Sequence, residues 1–187
     1  MRVDIWSDVV CPFCYIGKKR LEAVAKEAEI ELEIHWHSYQ LDPEAPQSQS
    51  ISNTERLAQK YGRTLAEVEE MQRNIADMAK AEGIEFNWQQ ANSGNTFNAH
   101  RLIHLAQSKG LGNEAQEALF YSYMTQGLKI GERETLEDVA ARIGLNPVEV
   151  DDLLDGNEFA DFVEFDQEVA REQLKVTGVP FFVFDQR

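Results

Sequence analysis

Cysteine is almost absent from this chain, with two residues in 187, which excludes a disulfide-stapled scaffold. Basic side chains are also scarce, 18 against 33 acidic ones, for a net charge of −15. A body so negative repels phosphate, which argues against nucleic-acid and anionic-membrane partners. The longest basic run, Lys18-Lys19-Arg20, reads as a solvated helix face. No stretch approaches the roughly 18 consecutive apolar residues that a membrane-spanning helix needs. The opening MRVDIWSDVV has no apolar segment of signal-peptide length, and the chain has no internal repeat or low-complexity tract. What remains is a chain with 43% hydrophobic residues, long enough to bury one self-sufficient core. The expectation is an acidic, globular, cytoplasmic protein.

The first 40 residues read strand, helix, strand. Residues 2–6, RVDIW, are short and lean apolar, and the polar turn Ser7-Asp8 follows. Pro12 suits the first turn of a helix, where its missing N–H costs nothing. That helix places Leu21, Val24, Ala25 and Ala28 on its apolar face and Lys18, Lys19, Glu22 and Lys26 on its wet one. Leu32, Ile34 and Trp36 then alternate with Glu31, Glu33, His35 and His37, the pattern of a strand with one wet face near a sheet edge. A connection of this length predicts a parallel pair.

Residues 42–51, DPEAPQSQSI, form a loop, and no convincing strand follows for about a hundred residues. Thr64 with Glu67 forms a capping box that opens a helix running to about Gly83. Further helices are expected from 95 or 96 to Gly110, from Glu114 to Gly127, from Thr135 to Gly144, after Asn146-Pro147, and from Glu158 to Lys175. The chain closes on Phe181-Phe182-Val183-Phe184, an unbroken apolar run that fits a central strand covered on both faces. Such a strand at the end of the chain leaves an apolar edge unpaired. We therefore expect either a missing C-terminal end or a partner over that edge. The organisation expected is a first α/β part over 1–43, an all-helical insertion over 44–156, and a second α/β part over 157–187 with its C-terminal end missing.

The most informative feature is Cys11-Pro12-Phe13-Cys14 at the strand-to-helix junction. In a first helical turn, residues i and i+3 share a face, within the reach of a disulfide. The first thiol meets unpaired backbone N–H groups and the positive end of the helix dipole, which favour a thiolate. A free cysteine has a pKa of about 8.5, and such sites can lower it to roughly 3.5–7.5. Cys11 is thus the expected attacking sulfur and Cys14 the deeper, resolving one. Three other readings compete. A structural disulfide would close too short a loop to help much. A zinc site needs two more ligands, and His35 with His37 or His100 with His104 match no zinc spacing. Two inert buried thiols are the third.

Gly178-Val179-Pro180 stands directly before the last strand. Gly and Pro mark a helix stop and a strand start in any fold. The functional reading is a cis-proline loop beside the cysteine pair, with the Val179 backbone pairing to an extended substrate by strand addition.

With SDVVCPFCYIG (7–17), NTFNAHRL (95–102) and TGVPFFVF (177–184), the chain resembles the thioredoxin superfamily, and within it the cytosolic DsbA-like group that includes FrnE-like proteins. The resemblance implies a thioredoxin fold interrupted by a helical block and continued by a further strand and helix past the end of this sequence. It implies thiol–disulfide exchange with protein or small thiol and disulfide substrates. Cys11 is then the nucleophile, Cys14 the resolving thiol and Pro180 the facing cis-proline. Pro12 and Phe13 tune the redox poise, and Val179 binds substrate. No cofactor is implied beyond the redox-active pair, apart from glutathione as a co-substrate.

Kappa-class glutathione transferases and 2-hydroxychromene-2-carboxylate isomerases are similar in the NTFNAHRL stretch but carry serine at the Cys11 position. A glutathione-dependent isomerase or transferase is therefore the alternative. Trp6 is expected in the core, and Met71 and Met78 in packing. Asp8 and Tyr15 are candidates to shape the thiolate's surroundings. Phe97, His100, Tyr121 and Tyr123 are candidates for a cleft, with a plain helix-surface histidine as the competing reading of His100.

Overall fold

A computed structural model of the chain describes every residue except 49, 93, 186 and 187. The described residues form three strands, eight α-helices and one π-helical stretch. Strand β1 (Arg2–Ser7) leads into helix α1 (Pro12–Glu27), which returns to strand β2 (Glu33–Ser38). Seven helices follow: α2 (Asn53–Tyr61), α3 (Leu65–Ala81), α4 (Phe97–Ser108), α5 (Gly112–Met124), α6 (Arg133–Arg142), α7 (Pro147–Asp155) and α8 (Ala160–Glu168). The π-helical stretch Val169–Gln173 continues α8, and strand β3 (Phe181–Phe184) closes the sheet.

Strand order is β2-β1-β3. β1 pairs parallel with β2, Ile5 opposite Trp36, as the crossover length predicts. β3 pairs antiparallel with β1, Trp6 opposite Phe181. Among the described residues β1 lies between β2 and β3. β3 lies at an edge and is half-buried, with Phe184 41% exposed. Its side chains still find apolar neighbours. Phe181 meets Trp6 edge-on at 6.0 Å, and Phe182 stacks with Phe184 at 6.2 Å.

Four expectations change. Helix α1 is rotated from its periodicity reading: Val24 is 64% exposed and Lys18 is 2% exposed. Lys18 can turn inward because its ammonium donates to Glu22 Oε1 at 2.6 Å and Glu117 Oε2 at 2.7 Å. Helix α2 follows the 42–51 loop in a stretch where no element was expected, although Ser52 and Glu55 form a complete capping box at its start. Helix α6 starts at Arg133, with Glu132 rather than Thr135 at the cap. The last helix ends early, because the α-pattern gives way to the π-helical stretch before Lys175 at φ 53°.

One hydrophobic core joins β1, β2 and α1 to the inner faces of α3–α7. A smaller cluster, Trp6, Tyr39, Ala170 and Val176, packs under β3. Between them runs a buried polar seam. Asp166 of α8 accepts the Ser38 N–H of β2 at 2.9 Å, and its carbonyl accepts the Trp6 indole N–H at 3.0 Å. His37 lies 2.7 Å from Asp166 Oδ1 and 3.0 Å from Asp4 Oδ1, and stacks on Trp6 at 4.3 Å. These contacts fix α8 to the face of the sheet and so place the chain that leads to β3.

Candidate active site

β1 ends at Ser7, and the turn Asp8-Val9-Val10 delivers the chain to α1. Cys11 is the helix N-cap, with φ −91° and ψ 110°, and its side chain caps nothing. Its N–H donates to the Asp8 carbonyl at 3.0 Å, and its own carbonyl accepts the Cys14 N–H at 3.1 Å. Pro12 occupies the first helical turn, where no N–H is missed. Both cysteines are free thiols.

The Val179–Pro180 peptide bond is cis. It faces the helix start, and the Cys11 thiol donates to the Val179 carbonyl at 3.6 Å. Pro180 and Phe182 close over Gly17 of α1, where an added Cβ would lie 3.2 Å from each of them. Cys11 and the Val179–Pro180 peptide, more than 160 residues apart in sequence, thus meet at one point.

Cys11 is only 4% exposed and Cys14 2%. What separates them is a cavity of about 210 Å³ whose wall includes Asp8, Val10, Cys11, Pro12 and Phe13 but not Cys14. Cys11 therefore sits between that cavity and the Val179 carbonyl, with Cys14 behind it. Burial pushes the Cys14 thiol pKa well up, and the adjacent Cys11 adds to the rise, against the hydrogen bond of Ser7. Phe13 is 46% exposed at the rim.

Several minor candidates land elsewhere. Tyr15 stacks on Phe120 at 4.8 Å and donates its hydroxyl to Glu117 Oε1 at 2.6 Å, which places it in a polar cluster with Lys18 and Lys19. Burial raises its pKa, and the neighbouring Glu117 raises it further. Phe97 lines a separate groove with Gln47 and Asn95. Tyr121 is half exposed, whereas Tyr123 is buried and lines the Cys11 cavity. Met71 lines it as well, while Met78 is exposed. His100 is no surface residue. It is 2% exposed, with Nε2 3.4 Å from Asp8 Oδ1.

The DSBA-like thioredoxin domain family matches residues 2–187. The chain belongs to the DsbA-like thioredoxin family. A solved relative, "probable DsbA oxidoreductase SCO1869" from Streptomyces coelicolor, is 33% identical, with a TM-score of 0.92 over 100% of this chain and 81% of that one. Two further structures share the fold at 17% identity, each covering 100% of this chain and 87% of its own. They are a 2-hydroxychromene-2-carboxylate isomerase, with a TM-score of 0.70, and the cytosolic disulfide reductase DsbM from Pseudomonas aeruginosa, with a TM-score of 0.68. In this DsbA-like chain the thioredoxin fold carries the helices α2–α8 between β2 and β3.

Sequence reading missed the far wall of the DsbA-like cavity: Asn53, Arg56, Leu57 and Lys60 of α2, and Gln72 and Ile75 of α3. A signal for α2 was present in Ser52–Glu55. Once that helix is drawn, Arg56 and Lys60, four apart, fall on one face. Nothing local marks Gln72, whose carbonyl oxygen accepts the Thr54 hydroxyl at 2.7 Å.

Proposed function

We propose that this protein is a thiol–disulfide oxidoreductase that exchanges electrons between the Cys11–Cys14 pair and protein or small-molecule disulfides. The observation that carries it is the position of the Cys11 sulfur at a helix start, 3.6 Å from the Val179 carbonyl and on the wall of an open cavity, with Cys14 one turn behind. Cys11 thiolate attacks a substrate sulfur, a mixed disulfide forms, and one substrate thiolate leaves. Cys14 then loses its proton and attacks Cys11. The second substrate thiolate leaves, and the pair is oxidised by two electrons. The raised pKa of the buried Cys14 holds it back for this second step. The reverse sequence oxidises a dithiol.

Val179 offers backbone groups to an extended substrate, Pro180 holds that edge against Cys11, and Pro12 and Phe13 border the approach. The redox pair is the only cofactor this reading needs. A setting in the cytoplasm agrees with the scarcity of cysteine and with the cytosolic DsbM among the structural neighbours. Replacing Cys11 by Ser should abolish reduction of a disulfide substrate, and Cys14→Ser should accumulate mixed disulfides visible by mass spectrometry. Undiminished turnover in Cys11→Ser rejects the reading.

A glutathione-dependent isomerase or transferase is the second reading. It is favoured by Thr96, inside the NTFNAHRL stretch, which lines the Cys11 cavity. A DsbM structure carries glutathione, so glutathione as a co-substrate fits both readings. Saturable glutathione binding with activity that survives Cys14→Ser selects the second; Cys14-dependent activity with no glutathione binding removes it.

A further inference from the structure

The NTFNAHRL stretch opens α4, and three of its side chains tie that helix to other parts of the fold. Thr96 Oγ1 accepts the Gln40 side-chain amide at 3.4 Å, just past β2. Arg101 donates to the Gly156 and Glu158 carbonyls at 2.8 Å each, beyond the end of α7. His100 reaches the turn that carries the cysteines. Its Nε2 lies 3.4 Å from Asp8 Oδ1, and the two side chains are 2% and 1% exposed. Both atoms are buried and neither completes a hydrogen bond among the described residues. The separation exceeds the roughly 2.7–3.2 Å of a well-made N–H···O bond. A pair so placed is poor value for stability, because each atom forfeits its bonds to water for an imperfect partner. Buried polar atoms of this kind ask for another role.

Asp8 is the hub of that turn. Its carbonyl accepts the Cys11 N–H at 3.0 Å. Its own N–H donates to the Cys14 sulfur. Burial, then Cys11, push the Cys14 pKa up, and the Ser7 hydroxyl and this N–H oppose them. The backbone of one residue therefore holds both cysteines. The side chain of the same residue is anchored twice. Oδ2 accepts the Leu41 N–H at 2.8 Å, which ties the turn to the chain leaving β2, and Oδ1 stands against His100 of α4. A carboxylate held at one oxygen still pivots about it; a second contact at the other oxygen fixes its plane. His100 supplies that second contact from the helical insertion.

We propose that His100 is a positioning residue for thiol–disulfide exchange, acting through Asp8 on the turn that carries Cys11 and Cys14. The proposal rests on the redox reading above and adds a control point in the helical insertion. The sulfurs carry more negative charge in the reduced pair than in the disulfide, and the Asp8 N–H is a donor held against that charge. Loosening Asp8 therefore costs the reduced form more than the oxidised one, and the equilibrium moves towards the disulfide. Against glutathione the exchange balances. The pair gives two electrons and two protons to glutathione disulfide, whose S–S bond breaks to release two glutathione thiols, and an S–S bond forms between Cys11 and Cys14.

The test equilibrates the full chain in glutathione buffers of graded ratio and reads the dithiol fraction by alkylation and mass spectrometry. His100→Leu should move the equilibrium constant about tenfold towards the disulfide, the scale of one hydrogen bond and about 30 mV for a two-electron couple. His100→Asn keeps a polar amide but stops short of Asp8; it should shift the constant equally, and it decides the matter if His100→Leu does not fold. His100→Gln carries its amide nitrogen about as far as the imidazole Nε2 and should restore most of the loss. In an Asp8→Ala background, His100→Leu should change the constant by less than about twofold, because the path through Asp8 is gone. A merely structural histidine would weaken the reduced and oxidised chains alike, lowering both melting temperatures and leaving the constant where it was. A constant within about twofold of the unaltered chain in His100→Leu or His100→Asn, one moved towards the dithiol, or a full shift that persists without the Asp8 side chain overturns the proposal and leaves the redox reading standing. An unaltered chain that forms no Cys11–Cys14 disulfide at any glutathione ratio overturns both.

Discussion

Replacing Asp166 by Asn should change how stability depends on pH. Asp166 is 6% exposed and holds the Ser38 N–H, the His37 ring at 2.7 Å and the His104 ring at 3.2 Å. Burial opposes its ionisation, but the hydrogen bonds of His104 and His37, the charge of His37 and the Ser38 N–H outweigh it and bring its pKa to about 2, from an ordinary 3.8. A folded value below the unfolded one contributes stability that is complete above the unfolded pKa and lost as pH falls through the folded one. The size of the depression corresponds to about 2.4 kcal/mol at neutral pH.

His37 acts in the opposite sense. Burial disfavours its cation, yet Asp166 and Asp4 raise its pKa above 6.5. Its contribution is complete below that unfolded value and is lost as pH rises through the folded one. Urea unfolding at constant ionic strength reads both limbs. The stability gap between the unaltered chain and Asp166→Asn should shrink by about 2 kcal/mol between about pH 5 and about pH 2, because only the aspartate has this charge to lose. Parallel pH profiles for the two proteins over that range would show that Asp166 is not held ionised by the seam, and the reasoning fails.

Gly17→Ala should leave stability close to neutral, since a helix gains up to about 1 kcal/mol from alanine while the new Cβ crowds Phe182 and Pro180. It should slow disulfide exchange by pressing the prolyl loop relative to Cys11; a melt combined with an exchange rate checks both. Arg101 is 3% exposed and donates to the carbonyls of Leu153, Gly156 and Glu158. Arg101→Lys, which cannot present that fork, should cost about 2–4 kcal/mol in urea unfolding, and a loss under about 0.5 kcal/mol contradicts the assignment. Lys18→Met should cost about 1.5–3 kcal/mol, because it strips the buried ammonium from Glu22 and Glu117.

The parts of this molecule that were legible in its sequence are those whose physics is local. The strand, helix and strand of the first 40 residues, the Thr64–Glu67 box and the Asn146-Pro147 cap all follow from neighbours a few residues apart. The cysteine pair and the proline before the last strand were visible for the same reason, and the resemblance supplied their meeting. What stayed hidden depends on distant partners. Lys18 looks like a wet-face residue until Glu117, about a hundred residues on, arrives beside it. His100 looks like a surface histidine until Asp8 lies 3.4 Å away. Gln72 and Arg56 carry no motif and gain meaning only when α2 and α3 close over Cys11. The apolar run of β3 meets Trp6 and neighbouring phenylalanines, contacts that the sequence alone does not name.

The helix that leads towards the prolyl loop and the helix that lines the Cys11 cavity are anchored unequally. The first, α8, is bound to the sheet through Asp166, which holds the buried Ser38 N–H and the buried His104 ring. The second, α2, is tethered to residues 41 and 42 by a partly exposed pair, Arg56 to Asp42, and by one bond from Lys60. Ion pairs of that kind contribute little and reopen cheaply. The tie between α2 and the 41–42 loop is therefore the weaker of the two, and salt should loosen it before it touches the Asp166 seam.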